Sequence, residues 1–291
     1  MESARCKAFL AAAETGSFTK AGEKLNYTTS GVSQLVASLE KELGVSLFIR
    51  KKQGVTLSEN GEYLLPAIRS FLQQEERIYQ MASDILGLSV GEITIATYPS
   101  MSAHWLPQVI REFQNDYPNI HVNLMEGIRR EIISWLEDTT ADIGFLSWRE
   151  DAPFDWFPVA KDRMIAVLPR EHPLANADQY PLSLCENESF IMPALGRDDD
   201  VVDLLNRNGV HPKIQFSTIE NYSAISMIEK GLGMSIMNER STFNWSSDVV
   251  KLPLDPPEDI TLGMAVPSME HASPAVRKFV EYARKVLNTA P

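Results

Sequence analysis

Thr28, Thr29, Ser30, Ser33 and Gln34 fall within seven consecutive residues, and Arg50, Lys51 and Lys52 form an unbroken cationic run further along. Short hydroxyls and a primary amide hydrogen-bond to flat polar edges, whereas clustered cations attract phosphate oxygens. Neither set places a nucleophile beside a base. The one dense acidic run, Asp198-Asp199-Asp200, reads as an acid or metal cluster or, more commonly for adjacent carboxylates, as a solvated loop at a helix start. The five histidines include no pair at metal-ligand spacing. No Ser/His/Asp order, phosphate loop or zinc spacing stands out. We therefore expect no catalytic residues, no metal and no cofactor.

The elements that must carry these groups follow from periodicity. Wound at about 100° per residue, the segment 28–43 puts Val32, Leu35, Val36, Leu39 and Leu43 on one stripe. Ser30, Gln34, Ala37 and Lys41, flanked by Ser33, take the opposite side, where no bulky apolar group stands in the way. Thr28 or Thr29 would cap this helix. Residues 17–25 predict a shorter helix capped by Ser17, with Asn26-Tyr27 as the turn. Two helices joined so tightly make a helix-turn-helix, whose second helix enters the major groove of double-stranded DNA. Gly44 ends that helix, and two short strands at 47–50 and 55–57 predict a basic wing around Lys51-Lys52-Gln53-Gly54. Considered alone, the segment also fits an ordinary amphipathic helix pair beside a solvated basic loop.

The order Phe9, Glu14-Thr15-Gly16-Ser17-Phe18-Thr19-Lys20-Ala21, Leu25, Val32-Ser33, Leu39-Glu40, Leu43-Gly44, Leu47-Phe48-Ile49-Arg50 and Leu57-Ser58-Glu59-Asn60-Gly61 closely resembles the N-terminal domain of LysR-type transcriptional regulators. More loosely, His172-Pro173-Leu174-Ala175 resembles the family's marker early in its second effector subdomain, and Gly231-Leu232-Gly233-Met234-Ser235-Ile236 its late glycine turn. The resemblance implies an α/β protein overall, built from a mainly helical winged helix-turn-helix, a long linker helix and two Rossmann-like α/β subdomains of the type 2 periplasmic-binding-protein kind. It implies a DNA-binding domain at 1–58, a linker helix at 59–88, effector subdomain 1 at 91–162 plus 260–291, and effector subdomain 2 at 163–259.

Charge agrees with this division. Residues 1–58 hold eight Lys/Arg against five Asp/Glu, leaving nineteen against thirty-four in the remainder, for a net charge of -12 over 291 residues. An acidic body repels phosphate, so only the N-terminal part is a credible DNA surface. Its modest charge makes dimerisation a useful aid to affinity. No apolar run approaches the roughly 18 residues of a membrane span, and Arg5, Lys7 and the short apolar run at 8–13, closed by Glu14, read as a first helix rather than a secretion signal. Cys6 and Cys185, one in each expected domain, suit a reducing cytoplasm and predict no disulfide.

Between 58 and 88, Leu64, Leu65, Ile68, Phe71, Leu72, Ile78, Tyr79, Ala82, Ile85 and Leu86 recur at heptad-like spacing, interrupted by Glu75 and with Pro66 in the second turn. Such a helix packs on its own domain or pairs with a second copy; in the family it is the dimer linker. From Gly91 onward strand and helix patterns alternate: strands at 92–97, 120–125 and 141–146, with helices at 102–117 and 131–138. That alternation implies a parallel sheet. Further helices are expected near 201–208 and 222–230, and the chain crosses back near 254–260 by analogy with the family.

In two-lobed sheets of this kind, ligands bind outside the carboxyl ends of the strands. The resemblance then puts Tyr98, Ser100, Met101, Ser102, Ser147, Trp148, Met192, Pro193, Glu220 and Asn221 around an effector. Ser100 and Ser102 either hold a carboxylate or merely cap a helix; Tyr98 and Trp148 either wall the ligand or pack between lobes. Arg129, Arg130 and Arg149 are candidate anion partners, with exposed salt bridges the commoner role. The DNA-contacting set is Thr28, Thr29, Ser30, Ser33, Gln34, Arg50, Lys51 and Lys52.

Three features depart from the family pattern. Gly31 stands where alanine is common and loosens the helix start by roughly 1 kcal/mol. Gln34 stands where arginine is frequent, favouring adenine over guanine. Met237-Asn238-Glu239 replaces a proline-containing end after the glycine turn. The expectation is a cytoplasmic, sequence-specific transcription regulator, homodimeric or homotetrameric, controlled by a small anionic organic effector. A solute-binding or enzymatic α/β protein with an incidental helical N-terminal domain, or a regulator without a small-molecule effector, are the competing readings.

Overall fold

The computed structural model describes residues 1–51, 54–86, 90–149, 153–243 and 247–288; Lys52, one of the expected phosphate contacts, lies outside them. Helices α1 (Ser3–Thr15), α2 (Phe18–Leu25) and α3 (Thr29–Leu43) are followed by the antiparallel hairpin β1 (Phe48–Lys51) and β2 (Gly54–Leu57). Ser17 caps α2 by accepting from the Lys20 amide, and Thr28 caps α3 by accepting from the Gly31 amide at 3.0 Å. Phe9, Ala21, Val32, Val36, Leu39 and Leu47 form the buried core of this unit. Leu43, expected on the same stripe, is exposed. It is the last residue of α3, and the chain leaves at Gly44 before another element covers it.

Helix α4 (Glu59–Ile85) starts at Ser58, whose hydroxyl accepts from the Gly61 amide. A Cβ at Gly61 would lie 2.2 Å from the Leu47 carbonyl oxygen, so only glycine lets this first turn rest on the start of the hairpin. Pro66 is accommodated without ending the helix. The apolar seam divides: Leu64, Leu65, Ile68, Phe71 and Leu72 pack on the N-terminal core, whereas Ile78, Tyr79, Ile85 and Leu86 are exposed. Glu75, which interrupts the seam, pairs with Lys7 on α1 at 3.0 Å.

The remainder comprises β3 (Gly91–Thr97), α5 (Pro99–His104), α6 (Leu106–Asp116), β4 (Ile120–Glu126), α7 (Arg129–Glu137), β5 (Ile143–Ser147), β6 (Asp155–Pro169), β7 (Tyr180–Pro181), β8 (Ser189–Met192), α8 (Asp199–Arg207), β9 (Lys213–Ser217), α9 (Asn221–Glu229), β10 (Ser235–Asn238), β11 (Val249–Asp255), β12 (Asp259–Val266) and α10 (Pro274–Asn288). The single helix expected at 102–117 is two, parted at Trp105, because Pro107 has no amide to carry the ladder across. β3 runs parallel to β4 and β5 as expected, yet β12 pairs antiparallel with both β5 and β6. The sheet is therefore mixed, since β6 and β12 carry the chain between lobes instead of returning over a helix.

β6 belongs to both lobes. Its first half pairs with β12, and its second half, from Met164, pairs with β10 and β11. One lobe closes around Ile93, Phe113, Phe145 and Phe279, the other around Tyr180, Phe190, Leu204 and Met234. At the crossing, buried Asp162 accepts from Asn238 Nδ2 at 2.6 Å and from the Arg240 amide, which ties the strand to the segment after β10. Both cysteines are buried and unpaired. Among the described residues, no helix is long and apolar enough to cross a membrane.

Candidate nucleic-acid interface and ligand cleft

Thr29, Ser30 and Gln34 are exposed along the first turns of α3, with Ser33 half-buried beside them. Arg50 Nη2 donates to Ser33 Oγ at 3.2 Å, and its guanidinium lies 5.6 Å from the Phe18 ring centroid. The root of the wing is thus held against α3, with the Arg50 guanidinium beside the Ser33 hydroxyl. Thr28 is used locally: its hydroxyl caps α3 and lies 3.1 Å from Ser30 Oγ. Lys51 is exposed at the end of β1.

A cleft of about 980 Å³ separates the two lobes. Of the residues expected there, Tyr98, Ser100, Pro193, Glu220 and Asn221 line it. Met101, Ser102, Ser147, Trp148 and Met192 do not. Met101 and Met192 are buried in the two lobe cores. Ser102 turns aside to donate to the Glu126 carboxylate and the Pro99 carbonyl. Trp148 stacks on Trp156, 5.0 Å between centroids, and so packs instead of walling a ligand.

Ser147 lies behind the wall in a buried network. Its hydroxyl donates to Asp200 Oδ1 at 2.8 Å, sits 3.1 Å from the Tyr98 hydroxyl, and accepts from Arg129. Arg129, expected in an exposed salt bridge, is buried with its guanidinium on the Ser147 carbonyl and hydroxyl. Arg149 reaches across to the Asp199 carbonyl at 2.8 Å and to Asp203 at 2.6 Å. The acidic run is likewise packed into the cleft, where Asp198 caps α8 through the amides of Asp200 and Val201. Burial, with the Asp200 charge second, pushes the Asp198 carboxyl up to about 7. Burial also raises Asp200, opposed by the Ser147 hydrogen bond and by the charges of Arg129 and Arg149. Glu220 is raised by partial burial and then by Glu126.

The carboxylates of Glu126, Glu131, Glu137, Asp198, Asp199, Asp200 and Glu220 outnumber Arg129, Arg130 and Arg197 in the lining. The lining is therefore predominantly acidic. No group of residues that could hold a metal ion occurs among the described residues. Glu126, Leu195, Tyr222 and Phe243 also line the cleft and were not anticipated. Glu126 was within reach of sequence reasoning, because it closes strand β4 at the carboxyl end that such sheets use for ligands.

Helix α7 connects this cleft to the long helix. Arg129 and Arg130 begin it in the lining, and at its far end Asp138 pairs with Arg69 of α4 while the Thr139 carbonyl accepts from Gln73. Lys278 of α10 pairs with Asp84 near the other end of α4.

Residues 4–62 match the profile of the bacterial regulatory helix-turn-helix protein, lysR family, and residues 87–288 match that of the LysR substrate binding domain. The chain is 35% identical over 283 residues to the HTH-type transcriptional regulator YvbU of Bacillus subtilis (strain 168), covering 96% of this chain and 97% of that one. Its fold is that of CbnR, a LysR family transcriptional regulator, at a TM-score of 0.69 and 20% identity over 99% of both chains. The effector binding domain of QuiR, solved with shikimate, aligns at a TM-score of 0.62 and 24% identity, covering 68% of this chain and 97% of that one. The chain belongs to the LysR family of helix-turn-helix transcription regulators.

Proposed function

We propose that this protein is a cytoplasmic, homo-oligomeric, non-catalytic regulator that reads double-stranded DNA with α3 and the β1–β2 wing and is switched by a small organic molecule in the interlobe cleft. The observation that carries the DNA half is the Arg50–Ser33 hydrogen bond, which fixes the wing on the exposed hydroxyl and amide face of α3. Thr29, Ser30, Ser33 and Gln34 then meet base edges, while Thr28, Arg50, Lys51 and Lys52 serve phosphates. The working division is 1–58 for DNA, 59–88 for linkage and pairing, and the two lobes, 91–162 with 260–291 and 163–259, for effector. The exposed distal seam of α4 supports pairing with a second copy.

A ligand can shift the DNA-binding heads only by favouring one arrangement of the lobes over another. Helix α7, with one end in the cleft and the other on Arg69 and Gln73, gives that bias a path to the linker. The test is selection of DNA fragments by the purified full-length protein at stated salt, with a Gln34→Ala/Arg50→Ala control. The expected result is a pseudo-palindromic site that the control loses. Retention that only fades with salt and enriches no sequence would refute the reading.

A further inference from the structure

The charge of the cleft decides the class of molecule it takes. Glu126, Asp198, Asp200 and Glu220 line it; the charges of Arg129 and Arg149 act on Asp200, whereas Glu126 and Glu220 form no salt bridge among the described residues. Of the three arginines in the lining, Arg129 is buried on Ser147, Arg197 sits 3.7 Å from Asp199, which also lines the cleft, and Arg130 is exposed. Ser102 and Ser147, set back from the lining, donate to Glu126 and Asp200.

The acidic groups straddle the cleft. Glu126 ends β4 on one lobe, Glu220 precedes α9 on the other, and both line the cleft. Next to Glu220, Asn221 Oδ1 is a buried acceptor with no hydrogen-bond donor. Leu195, Ile219 and Phe243, which also line the cleft, expose 55%, 62% and 43% of their surface. Leu195 is held there by a backbone turn in which it and Ala194 both have positive φ, 60° and 49°. Non-glycine residues seldom adopt that conformation, and ligand clamps are among the places where it persists.

We propose that the cleft binds a small organic cation, with a protonated amine or guanidinium group seated between Glu126 and Glu220 and an apolar body covered by Leu195, Ile219 and Phe243. The proposal rests on the reading of this cleft as the effector site. A cation between carboxylates on opposite lobes converts their repulsion into attraction, so it favours the arrangement in which the lobes are close.

The experiment uses the full-length protein with three probes at millimolar concentration: phenethylamine, agmatine, and hydrocinnamate as the anionic counterpart of the first. Melting temperature and calorimetric binding are followed for the parent and for Glu126→Gln/Glu220→Gln, which changes two carboxylates at the cleft while keeping their shape. The amines are expected to raise the melting temperature, hydrocinnamate not to, and the double variant to bind the amines about tenfold more weakly or worse. The proposal is overturned if hydrocinnamate stabilises more than the amines, if neither amine shifts the melting temperature, or if the double variant binds the amines as the parent does. DNA selection, run in parallel, separates this from the regulator reading, because a selected site can survive the loss of amine binding and amine binding can survive the loss of a site.

Discussion

Ser147, at the end of β5 in one lobe, donates its hydroxyl to Asp200, in the first turn of α8 in the other, at 2.8 Å. The bond joins the lobes at the buried side of the cleft, where water competes poorly for either partner. Ser147→Ala leaves Asp200 without this donor. The expected cost is about 1–3 kcal/mol, together with faster amide exchange at the start of α8. An unchanged urea midpoint and unchanged exchange would show that the bond does not hold the lobes.

The folded state favours neutral Asp198, whose carboxyl is pushed up from an ordinary 3.8 to about 7. Its stabilising contribution is full below the unfolded value and is lost as pH rises through about 7. Asp142, raised to about 6 by burial, and Asp200 act in the same direction. Asn at 198 keeps the oxygen that caps α8 and removes the titration. Asp198→Asn should melt higher than the parent at about pH 8, by a few kcal/mol at most, and should lose stability less steeply between pH 4 and 7. Parallel melting curves across that window would contradict this.

Transmission through α7 can be tested at its far end. Arg69 and Asp138, both largely buried, form the ion pair between α4 and the turn after α7. Arg69→Met keeps much of the apolar stem and removes the charge. DNA affinity and amine binding should persist, while the effect of agmatine on DNA affinity, read by fluorescence anisotropy, should vanish. A variant that still responds like the parent would place the coupling elsewhere.

Gln34 is exposed on α3, the helix proposed to read DNA. Its amide can pair with adenine through two bonds, whereas arginine prefers guanine, a discrimination of about 1–3 kcal/mol per base. Site selection with Gln34→Arg should exchange adenine for guanine at one symmetric position in each half-site. Identical selected sites would remove Gln34 from the reading set.

Gly61 tests the seating of α4. Because its Cβ would lie 2.2 Å from a backbone oxygen, Gly61→Ala must shift the helix or the hairpin. A loss of about 1–3 kcal/mol in the urea midpoint is expected, and no loss would mean that the junction gives way freely.

Much of the N-terminal unit was legible from sequence because local signals set it. Ser17 and Thr28 cap, Gly44 terminates, and Val32, Val36 and Leu39 recur at helical spacing, all within a few residues of what they act on. The family pattern likewise pointed to two lobes. Periodicity over-read continuity at Trp105, where Pro107 splits one expected helix into two, and it over-read parallel pairing, since strand direction depends on where a distant segment returns.

What only the tertiary structure decided is which side chains meet in the cleft and with what charge. Ser102 and Ser147 looked like hydroxyls available to a ligand, yet each holds a carboxylate brought by another segment, Glu126 in the same lobe and Asp200 in the other. Asp198-Asp199-Asp200 looked like a solvated run, yet α8 begins where the two lobes face each other. Sequence determines which groups a segment offers; whether a group stays free depends on the through-space distance to partners far along the chain, and that distance exists only once both lobes have folded.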